Sequence, residues 1–497
     1  MNKIKNFFLP ESGKFYIDTF SGFTVALALI PEAIAFSLVA HVNPTVGLYA
    51  AFIMCLVTAV IGARTGMISG ATGSMAVVIV ALVSQYGLDY LFVTIILTGI
   101  FQVLIGIFHL ERFMKILPKS VMIGFVNGLA IVIFLAQLEQ FKYSSGGVEV
   151  WLHGSALWLM IALVVLTMVI CYLLPKFTQL IPSALAAIVI VSLLAYFTHI
   201  DTRVVADMVS GSHLSAGLPS FHLPKFPLTL NTLRVILPYA IILTIVGLSE
   251  SLMTLALIDE MTDTKGQAGK ECIAQGVGNI ICGFFKGMGG CAMLGQSMIN
   301  VNNGAKGRLS GIVASITLLL CIVLFWPLIK MIPLAALVGV MFIVVIETFE
   351  WMTLNIIRKI PRHDAVIIVT VTMVTVATNL ATAVIIGIIF SALVFAWKTS
   401  HSLSVKEYIN NHHEKVYEVD GILFFGSIAK FKASFNYEQG PDYVVIDLNN
   451  SYLVDYSAVS ALQFIQEQYD RHGKRVRIDN LTPNCQKLLA KAGCQSA

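Results

Sequence analysis

Apolar runs of membrane-spanning length recur along most of this chain, and they restrict its fold more than any other feature. Long runs occupy residues 91–110, 157–174, 236–258, 312–327 and 365–397. A helix needs about 20 mainly apolar residues to cross the hydrocarbon core of a bilayer. Spanning strands are disfavoured because an open sheet leaves backbone groups without partners in lipid. The runs therefore predict a polytopic α-helical membrane protein.

Composition excludes several other classes of protein. Hydrophobic residues make up 57% of the chain and charged residues only 12%, whereas soluble domains carry about 25% charged residues. The formal net charge of +4 is too small to indicate a nucleic-acid partner. The eight cysteines show no C-x-x-C spacing, so neither a metal site nor a disulfide framework is expected. Residues Met1–Phe20 lack an apolar core and a cleavage site, and we predict no signal peptide there.

Hydropathy falls sharply after Trp397, which divides the chain in two. We predict a transmembrane domain over residues 1–397 and a soluble domain over residues 398–497, joined by a linker around Lys398–Lys406. The transmembrane part contains about fourteen apolar segments. Their centres lie near Leu29, Leu56, Val78, Ile96, Val126, Val164, Ile188, Thr244, Gly276, Met298, Leu318, Val340, Val371 and Ile388.

Basic residues give the orientation. With a cytoplasmic N-terminus, the inside connections contain most of them, including Arg64, Lys265, Lys306 and Arg308. The outside connections contain few, which are Lys142, Arg203, Lys225, Arg234, Lys330 and Lys286. This asymmetry follows the positive-inside rule. It predicts a multi-pass protein of a bacterial-type inner membrane, in contact with lipids, with both termini in the cytoplasm.

Two glycine-rich segments differ from ordinary spans. They read MISGATGSMAVVIV (Met67–Val80) and GMGGCAMLGQSMINV (Gly287–Val301), and each is the third segment of a seven-segment half. Short, glycine-interrupted segments in matching positions are typical of the broken helices of inverted-repeat transporters. The alternative is that the glycines only permit close helix packing. The matched pair favours a binding site.

Two facing half-helices can bind an anion through their unpaired N–H groups and positive dipole ends. We expect the anion to lie against backbone amides at both segments. Hydroxyl groups of Thr72 and Ser74 and the side-chain amide of Gln296 would add hydrogen bonds. The predicted amide donors are Thr72, Gly73, Ser74, Met293, Leu294 and Gly295.

Acidic residues within apolar segments are the next signal, because a carboxyl group in a span is costly. Glu250 is followed one helical turn later by Thr254 on the same face, and the alternative role for Glu250 is structural. Glu32 follows Pro31, where we expect an irregular helix; it either faces the site or solvent at a helix end. Phe36 lies one turn after Glu32 and is expected at the site.

The spans carry no lysine or arginine near the glycine-rich segments. Binding an anion beside an ionised carboxylate is unfavourable in a medium of low dielectric constant. Uptake of an anion against an inside-negative potential also costs ~2.3 kcal/mol per charge per 100 mV. Both arguments predict a co-bound Na+ or H+ and no other cofactor. Glu250 is the expected coupling residue, with Thr254 as a sodium ligand.

The motifs resemble those of the SulP (sulfate permease) family. The resemblance rests on Pro31–Phe52 (PEAIAFSLVAHVNPTVGLYAAF), Ile68–Val78 (ISGATGSMAVV), GLSESLMTLAL around Glu250, and Gly295–Gly311 (GQSMINVNNGAKGRLSG). It implies a fourteen-segment, seven-plus-seven inverted repeat with core and gate domains, an elevator-like movement and a homodimer. It also implies an anionic substrate. Our order is bicarbonate or sulfate first and a dicarboxylate next, with the choice between Na+ and H+ open.

The soluble part resembles a STAS domain. Its segments VYEVDGILFFGSIAKF, YVVIDLNN, SAVSALQFIQEQYDRHGK and VRIDN alternate between strand and helix patterns. Related domains can be phosphorylated at the position of Ser457; the alternative, which we favour, is that Ser457 is a helix N-cap. We expect this domain to regulate or assemble the transporter and to catalyse nothing.

Two other functions fit parts of the pattern. A nucleobase permease would share the fold and could use Glu250 to hydrogen-bond a base, although the PEAIAFS motif and the STAS-like tail argue against it. A non-transporting membrane sensor would signal through its tail, but it would not need two matched broken helices. No nucleophile–base set or metal-ligand cluster points to an enzyme.

Overall fold

The structure is a computed structural model, and it describes residues 14–114, 118–145, 148–178, 182–208, 217–227, 229–378, 380–481 and 485–486. The chain forms two compact units, residues 1–387 and 388–497. The boundary between them falls within the helix Leu380–Ser402, and the predicted linker around Lys398–Lys406 comprises the end of that helix and the start of the strand Ser404–Ile409. The prediction about a signal peptide falls mainly on residues 1–13, outside the described residues.

The first half of the larger unit is built from mainly apolar helices, one two-residue strand and one short hairpin. In chain order these are α1 (Phe15–Val39), α2 (Pro44–Ile61), β1 (Ser69–Gly70), α3 (Gly73–Tyr86), α4 (Leu88–Ile107), α5 (Glu111–Met114), α6 (Lys119–Leu138), the hairpin β2 (Lys142–Ser145) and β3 (Val148–Trp151), α7 (Gly154–Phe177) and α8 (Ser183–Phe197).

The second half repeats this order. It contains α9 (Leu230–Thr262), α10 (Ala268–Phe284), β4 (Cys291–Ala292), α11 (Leu294–Asn302), α12 (Leu309–Leu324), α13 (Trp326–Lys330), α14 (Leu334–Thr348), α15 (Met352–Ile356), α16 (Arg362–Ala377) and α17 (Leu380–Ser402).

All fourteen predicted segment centres lie on helices. Among the described helices, seven are long and apolar enough to cross a membrane. By contrast, α3 has 14 residues and α11 has 9, and each follows directly on a two-residue strand. The glycine-rich segments thus form the broken helices that the sequence predicts.

Helix packing repeats between the halves. Helix α4 packs on α10, and its counterpart α12 packs on α2; likewise α1 packs on α12 and α9 packs on α4. Helix α6 packs on α16, as α14 packs on α7. Each contact is converted into the other by exchanging the two halves. This exchange symmetry is that of the predicted seven-plus-seven repeat.

The seam between α4 and α10 depends on glycine. A Cβ atom added at Gly99 would lie 2.5 Å from the carbonyl oxygen of Gly276, and one at Gly276 would lie 2.6 Å from that of Gly99. Farther along, a Cβ at Gly106 would lie 2.6 Å from the Gly269 carbonyl oxygen. Backbones this close exclude any side chain, as at other small-residue seams between membrane helices.

Residues at or near the predicted inside connections contact one another, and so do residues of the predicted outside connections. Arg64 forms an ion pair with Asp259 at 3.2 Å, and Arg308 donates to the Gly62 carbonyl at 2.8 Å; all belong to predicted inside connections. On the predicted outside, Arg203 donates to the carbonyl of Lys142 at 2.9 Å. These contacts agree with the predicted topology, and the compartment that each end faces stays a prediction.

The smaller unit contains a four-stranded sheet in the order β5 (Ser404–Ile409), β6 (Lys415–Leu423), β7 (Tyr443–Leu453) and β8 (Arg475–Asp479). The β5–β6 pair is antiparallel, and the other two pairs are parallel. Helices α18 (Ile428–Ala433) and α19 (Tyr456–Arg471) connect the parallel strands. Tyr417, Phe431, Ile446 and Tyr469 are fully buried in the core of this unit.

Candidate functional site

The two glycine-rich segments meet as an antiparallel strand pair. Gly70 of β1 lies opposite Cys291 of β4. The approach requires glycine at position 290, because a Cβ atom there would lie 2.0 Å from the carbonyl oxygen of Gly70. The crossing places the first turns of α3 and α11 close after the paired strands, as an anion site between half-helices needs.

Helix α3 begins without a side-chain cap among the described residues. Thr72 is its N-cap residue with an extended backbone, and the first bond of the helix runs from the Ala76 N–H to the Thr72 carbonyl at 3.0 Å. The N–H groups of Gly73 and Ser74 precede that bond and belong to the set that a helix leaves unpaired. These N–H groups therefore have no partner within α3, and their binding of an anion stays a prediction.

The start of α11 agrees with the prediction in part. Leu294 and Gly295 follow the N-cap residue Met293, and both are exposed. The N–H of Met293, however, donates to the carbonyl of Ile68 at 2.8 Å. The predicted role of the Met293 amide as an anion donor is thus wrong for this conformation, because that amide extends the strand crossing.

Phe36 is brought to the start of α3. A Cβ atom at Gly73 would lie 2.8 Å from Cε1 of Phe36 and 2.8 Å from Cδ1 of Ile133 on α6. The Phe36 ring is buried and covers the first turn of the short helix. Helical spacing from Glu32 predicts this location, and the contact with Gly73 gives it a physical reason.

Glu250 lies beside the crossing. Its Oε2 accepts a hydrogen bond from Ser74 Oγ at 2.7 Å and one from Cys291 Sγ at 2.8 Å. Thr72 Oγ1 lies 3.2 Å from Ser74 Oγ and 3.2 Å from Cys291 Sγ. One carboxylate oxygen therefore joins α9 to both broken segments.

The other polar residues of α9 differ in role. Ser251 Oγ accepts from the Ala292 N–H at 3.1 Å and thereby fixes β4 against α9. Ser249 donates to the carbonyl of Ile245 at 2.7 Å within its own helix. Thr254 is buried one turn after Glu250. Glu250 and Thr254 share a face of α9, as predicted, whereas Ser251 bonds to the backbone of β4.

Glu32 is within reach of the second half-helix. Its Oε1 accepts a hydrogen bond from Nε2 of Gln296, which favours the interpretation that Glu32 faces the site. The expected irregularity at Pro31 is not found, because Pro31 lies inside the continuous helix α1. A third acidic residue, Glu347, is the second-to-last residue of α14.

A shell of amide side chains on α10 holds the crossing in place. Asn279 donates to the carbonyl of Gly290 at 3.0 Å and accepts from the Gly290 N–H at 2.9 Å. It also donates to Gln102 of α4 at 2.9 Å, and Gln275 donates to Ser69 at 2.8 Å. Sequence reasoning missed these residues and Cys291. The polar positions within the otherwise apolar α10 were the available signal.

A cavity of about 780 Å³ runs along α9. It begins at Ser249, next to Glu250, and reaches the turn after α9 at Asp263–Gly266, in a predicted inside connection. Met122 of α6 lines its opposite wall. The cavity thus extends along α9 from the turn after that helix as far as Ser249, and Glu250 itself does not line it.

In the smaller unit, the N-cap of α19 is Asp455. Its Oδ1 accepts from the Ala458 N–H at 3.0 Å, and its Oδ2 accepts from the Phe425 N–H at 2.8 Å. Ser457 is the second residue of the helix and is half-buried. The interpretation of Ser457 as an N-cap is therefore wrong, because an aspartate two positions earlier fills that role.

Paired strands, half-helices and exchange-symmetric packing define a multi-pass membrane transporter. Solved structures share this fold. The chain superimposes on murine Slc26a9, an anion transporter captured in an inward-facing state, with a TM-score of 0.82 at 15% identity, covering 99% of this chain and 91% of that one.

The chain belongs to the sulfate permease family, whose profile matches residues 15–372. A STAS domain profile matches residues 405–496. The family consists of anion transporters and not of enzymes. Both resemblances noted in the sequence are confirmed.

Relatives extend the comparison. YbaR of Bacillus subtilis (strain 168), provisionally named a sulfate transporter, is 44% identical over 95% of this chain and 96% of its own length. The bicarbonate transporter BicA of Picosynechococcus is 29% identical over 78% of this chain and 71% of its own. The solved transmembrane domain of a cyanobacterial BicA gives a TM-score of 0.65 at 27% identity, covering 74% of this chain and 97% of that one.

Proposed function

We propose that this protein takes up a small anion together with a cation, and that the anion binds between the first turns of α3 and α11. Bicarbonate or sulfate is the first choice, and a dicarboxylate is the next. The observation that carries the proposal is the strand crossing, which joins two short helices with open first turns beside the carboxylate of Glu250.

Backbone N–H groups and helix dipoles suit an anion without a fixed positive charge. The proposed donors are the amides of Gly73, Ser74, Leu294 and Gly295, with the Thr72 hydroxyl beside them. Phe36 closes one side of the site, and Glu32 orients Gln296 at the other. The names of YbaR and BicA support sulfate and bicarbonate as substrates.

Glu250 is the proposed coupling residue. Its charge opposes binding of an anion nearby, and a cation bound to it removes that opposition. The cation is Na+ or H+, and Thr254 is the proposed additional ligand for Na+. Coupling to a cation also supplies the energy that uptake of an anion against the membrane potential requires.

Several wider features belong to the same proposal. The cavity along α9, between that helix and Met122 of α6, supports alternating access by an elevator-like movement of a core against a gate. We further propose a homodimer, cytoplasmic termini in a bacterial-type inner membrane, and a regulatory STAS domain. Ser457 near the start of α19 is the candidate phosphorylation site, since a phosphate is favoured at a helix N-terminus.

The test is uptake into proteoliposomes that contain the purified full chain. Labelled bicarbonate, sulfate and succinate are each supplied with a sodium gradient, a proton gradient, or neither, and uracil serves as the competitor from the nucleobase class. Uptake of one anion that requires one gradient supports the proposal. Uptake that is independent of both gradients would remove the coupling role of Glu250, and inhibition by uracil would point to a nucleobase permease.

A further inference from the structure

We propose that the hydroxyl proton of Ser74 is shared in turn between Glu250 and the transported anion, so that a cation on Glu250 releases Ser74 for the anion. This inference rests on the proposed function. The Ser74 hydroxyl is then the group through which the cation and the anion affect each other.

The side chain of Ser74 can donate only one hydrogen bond at a time. A serine hydroxyl carries a single donor proton, and Ser74 directs its proton to Glu250 Oε2 at 2.7 Å. Ser74 is 1% exposed, so water does not readily take the place of either partner. While this bond exists, the Ser74 side chain cannot donate to an anion at the start of α3.

Ser74 lies at the start of α3, next to the proposed anion site and in contact with Glu250. Ser74 is the second residue of α3, so its backbone N–H belongs to the predicted anion donors while its hydroxyl contacts the coupling carboxylate. Its neighbour Thr72 lies 3.2 Å away through the two hydroxyl oxygens. Ser74 therefore contacts the proposed coupling site with its side chain and belongs to the proposed anion site with its backbone. Cys291, on β4, contacts Glu250 at 2.8 Å.

Binding of a cation to Glu250 changes the acceptor to which the Ser74 hydroxyl donates. An ionised carboxylate is a stronger acceptor than a neutral or cation-bound one. Once a proton or a sodium ion occupies Glu250, the Ser74 hydroxyl, which rotates freely about its C–O bond, turns toward the stronger remaining acceptor. That acceptor is the anion. Anion and cation then favour each other's binding by the same factor, as thermodynamic linkage demands.

The experiment measures anion affinity of the purified full chain with and without the cation that drives uptake, using sulfate and bicarbonate as probes. For the natural sequence, the cation is expected to tighten anion binding by about 5- to 150-fold, the usual range of such coupling. For Ser74→Ala, this ratio is expected to fall several-fold, and the part that remains is the direct effect of the Glu250 charge on the anion. Ser84→Ala is the matched control, because Ser84 lies on the same helix, is exposed, and donates only to the carbonyl of Val80.

A second pair of variants covers the case in which Ser74→Ala does not fold. Ser74→Thr and Ser74→Val are nearly equal in shape and differ in one hydroxyl. The threonine variant is expected to keep the ratio, and the valine variant is expected to lower it as Ser74→Ala does. A natural-sequence protein without any cation dependence would overturn the proposed coupling and this inference together. A normal ratio in Ser74→Ala or Ser74→Val would overturn this inference alone and leave the proposed function in place.

Discussion

The side-chain amide of Gln296 donates to the carboxylate of Glu32, and this bond joins the two halves of the transporter. It has a counterpart, because Ser74 donates to Glu250. In each case a carboxylate on the first helix of one half accepts from the first turn of the short helix in the other half. Both half-helices are therefore held at their starts, where the anion is proposed to bind.

Removing the Gln296 amide is expected to weaken anion binding. Leaving a buried polar group without its hydrogen-bond partner costs about 1–3 kcal/mol, and each 1.4 kcal/mol is about tenfold in affinity. We expect Gln296→Leu to raise the KM for anion uptake by about tenfold or more, measured in proteoliposomes. Combining it with Glu32→Leu removes the carboxyl group that has lost its donor and is expected to restore part of the loss. An unchanged KM in Gln296→Leu would contradict a role for this pair.

Glu250→Gln is expected to abolish the effect of the cation gradient on uptake, while exchange of labelled for unlabelled anion continues. Glutamine keeps the shape but has no charge for a cation to neutralise. The measurement compares gradient-driven uptake with exchange at equal concentrations. Glu350→Gln is the control, since Glu350 is exposed between α14 and α15 and does not line the cavity along α9. Gradient-driven uptake that survives in Glu250→Gln would show that coupling occurs elsewhere.

The two half-helices give a matched pair of glycine variants. A Cβ atom at Gly73 would lie 2.8 Å from Phe36, whereas one at Gly295 would meet nothing within 4 Å. Overpacking costs about 1–3 kcal/mol, so Gly73→Ala is expected to reduce uptake at least several-fold and Gly295→Ala to have little effect. If Phe36→Leu restores uptake when it is added to Gly73→Ala, contact with the Phe36 ring is the cause of the loss. Equal effects of the two glycine variants would argue against this arrangement of Phe36.

The seam between α4 and α10 makes a prediction about stability. In Gly99→Ala, the new methyl group would lie 2.5 Å from a backbone carbonyl oxygen, and the helices must separate along their length. We expect a clear fall in Tm and in the yield of monodisperse protein, measured by fluorescence-detected gel filtration after heating. Ile100→Ala is the control, because Ile100 is 40% exposed on another face of α4. A normal Tm for Gly99→Ala would mean that the seam tolerates wider spacing.

In the STAS domain, Asp455→Ala is expected to loosen the start of α19, whereas Ser457→Ala is not. Asp455 caps the helix and also binds the N–H of Phe425, and loss of a capping side chain costs about 0.5–2 kcal/mol. Hydrogen–deuterium exchange of the full chain is expected to show faster exchange at the amides of Phe425 and Ala458 only in the aspartate variant. Faster exchange in Ser457→Ala would assign the capping role to the serine after all.

Much of the fold could be predicted because membrane insertion is recorded locally in the sequence. Each of the fourteen predicted centres lies on a helix, since apolar runs have few other structures open to them in lipid. The glycine-rich stretches also revealed the two broken helices, because glycine removes the side chain wherever backbones approach closely. Glu250 and Glu32 stood out for the cost of placing a carboxyl group in a span.

Which groups contact each other was decided only by the tertiary structure. The approach of Cys291 to Glu250 and the Asn279 bonds to Gly290 depend on how the segment around β4 packs against α9 and α10. The use of the Met293 amide by Ile68 depends on pairing β1 with β4. Those strands are more than 200 residues apart in the chain. A hydrogen bond depends on distance and direction within a few tenths of an ångström. Such a distance cannot be inferred from local periodicity. The sequence therefore determined the helices and strands, and the packing of the two halves decided which groups are hydrogen-bond partners.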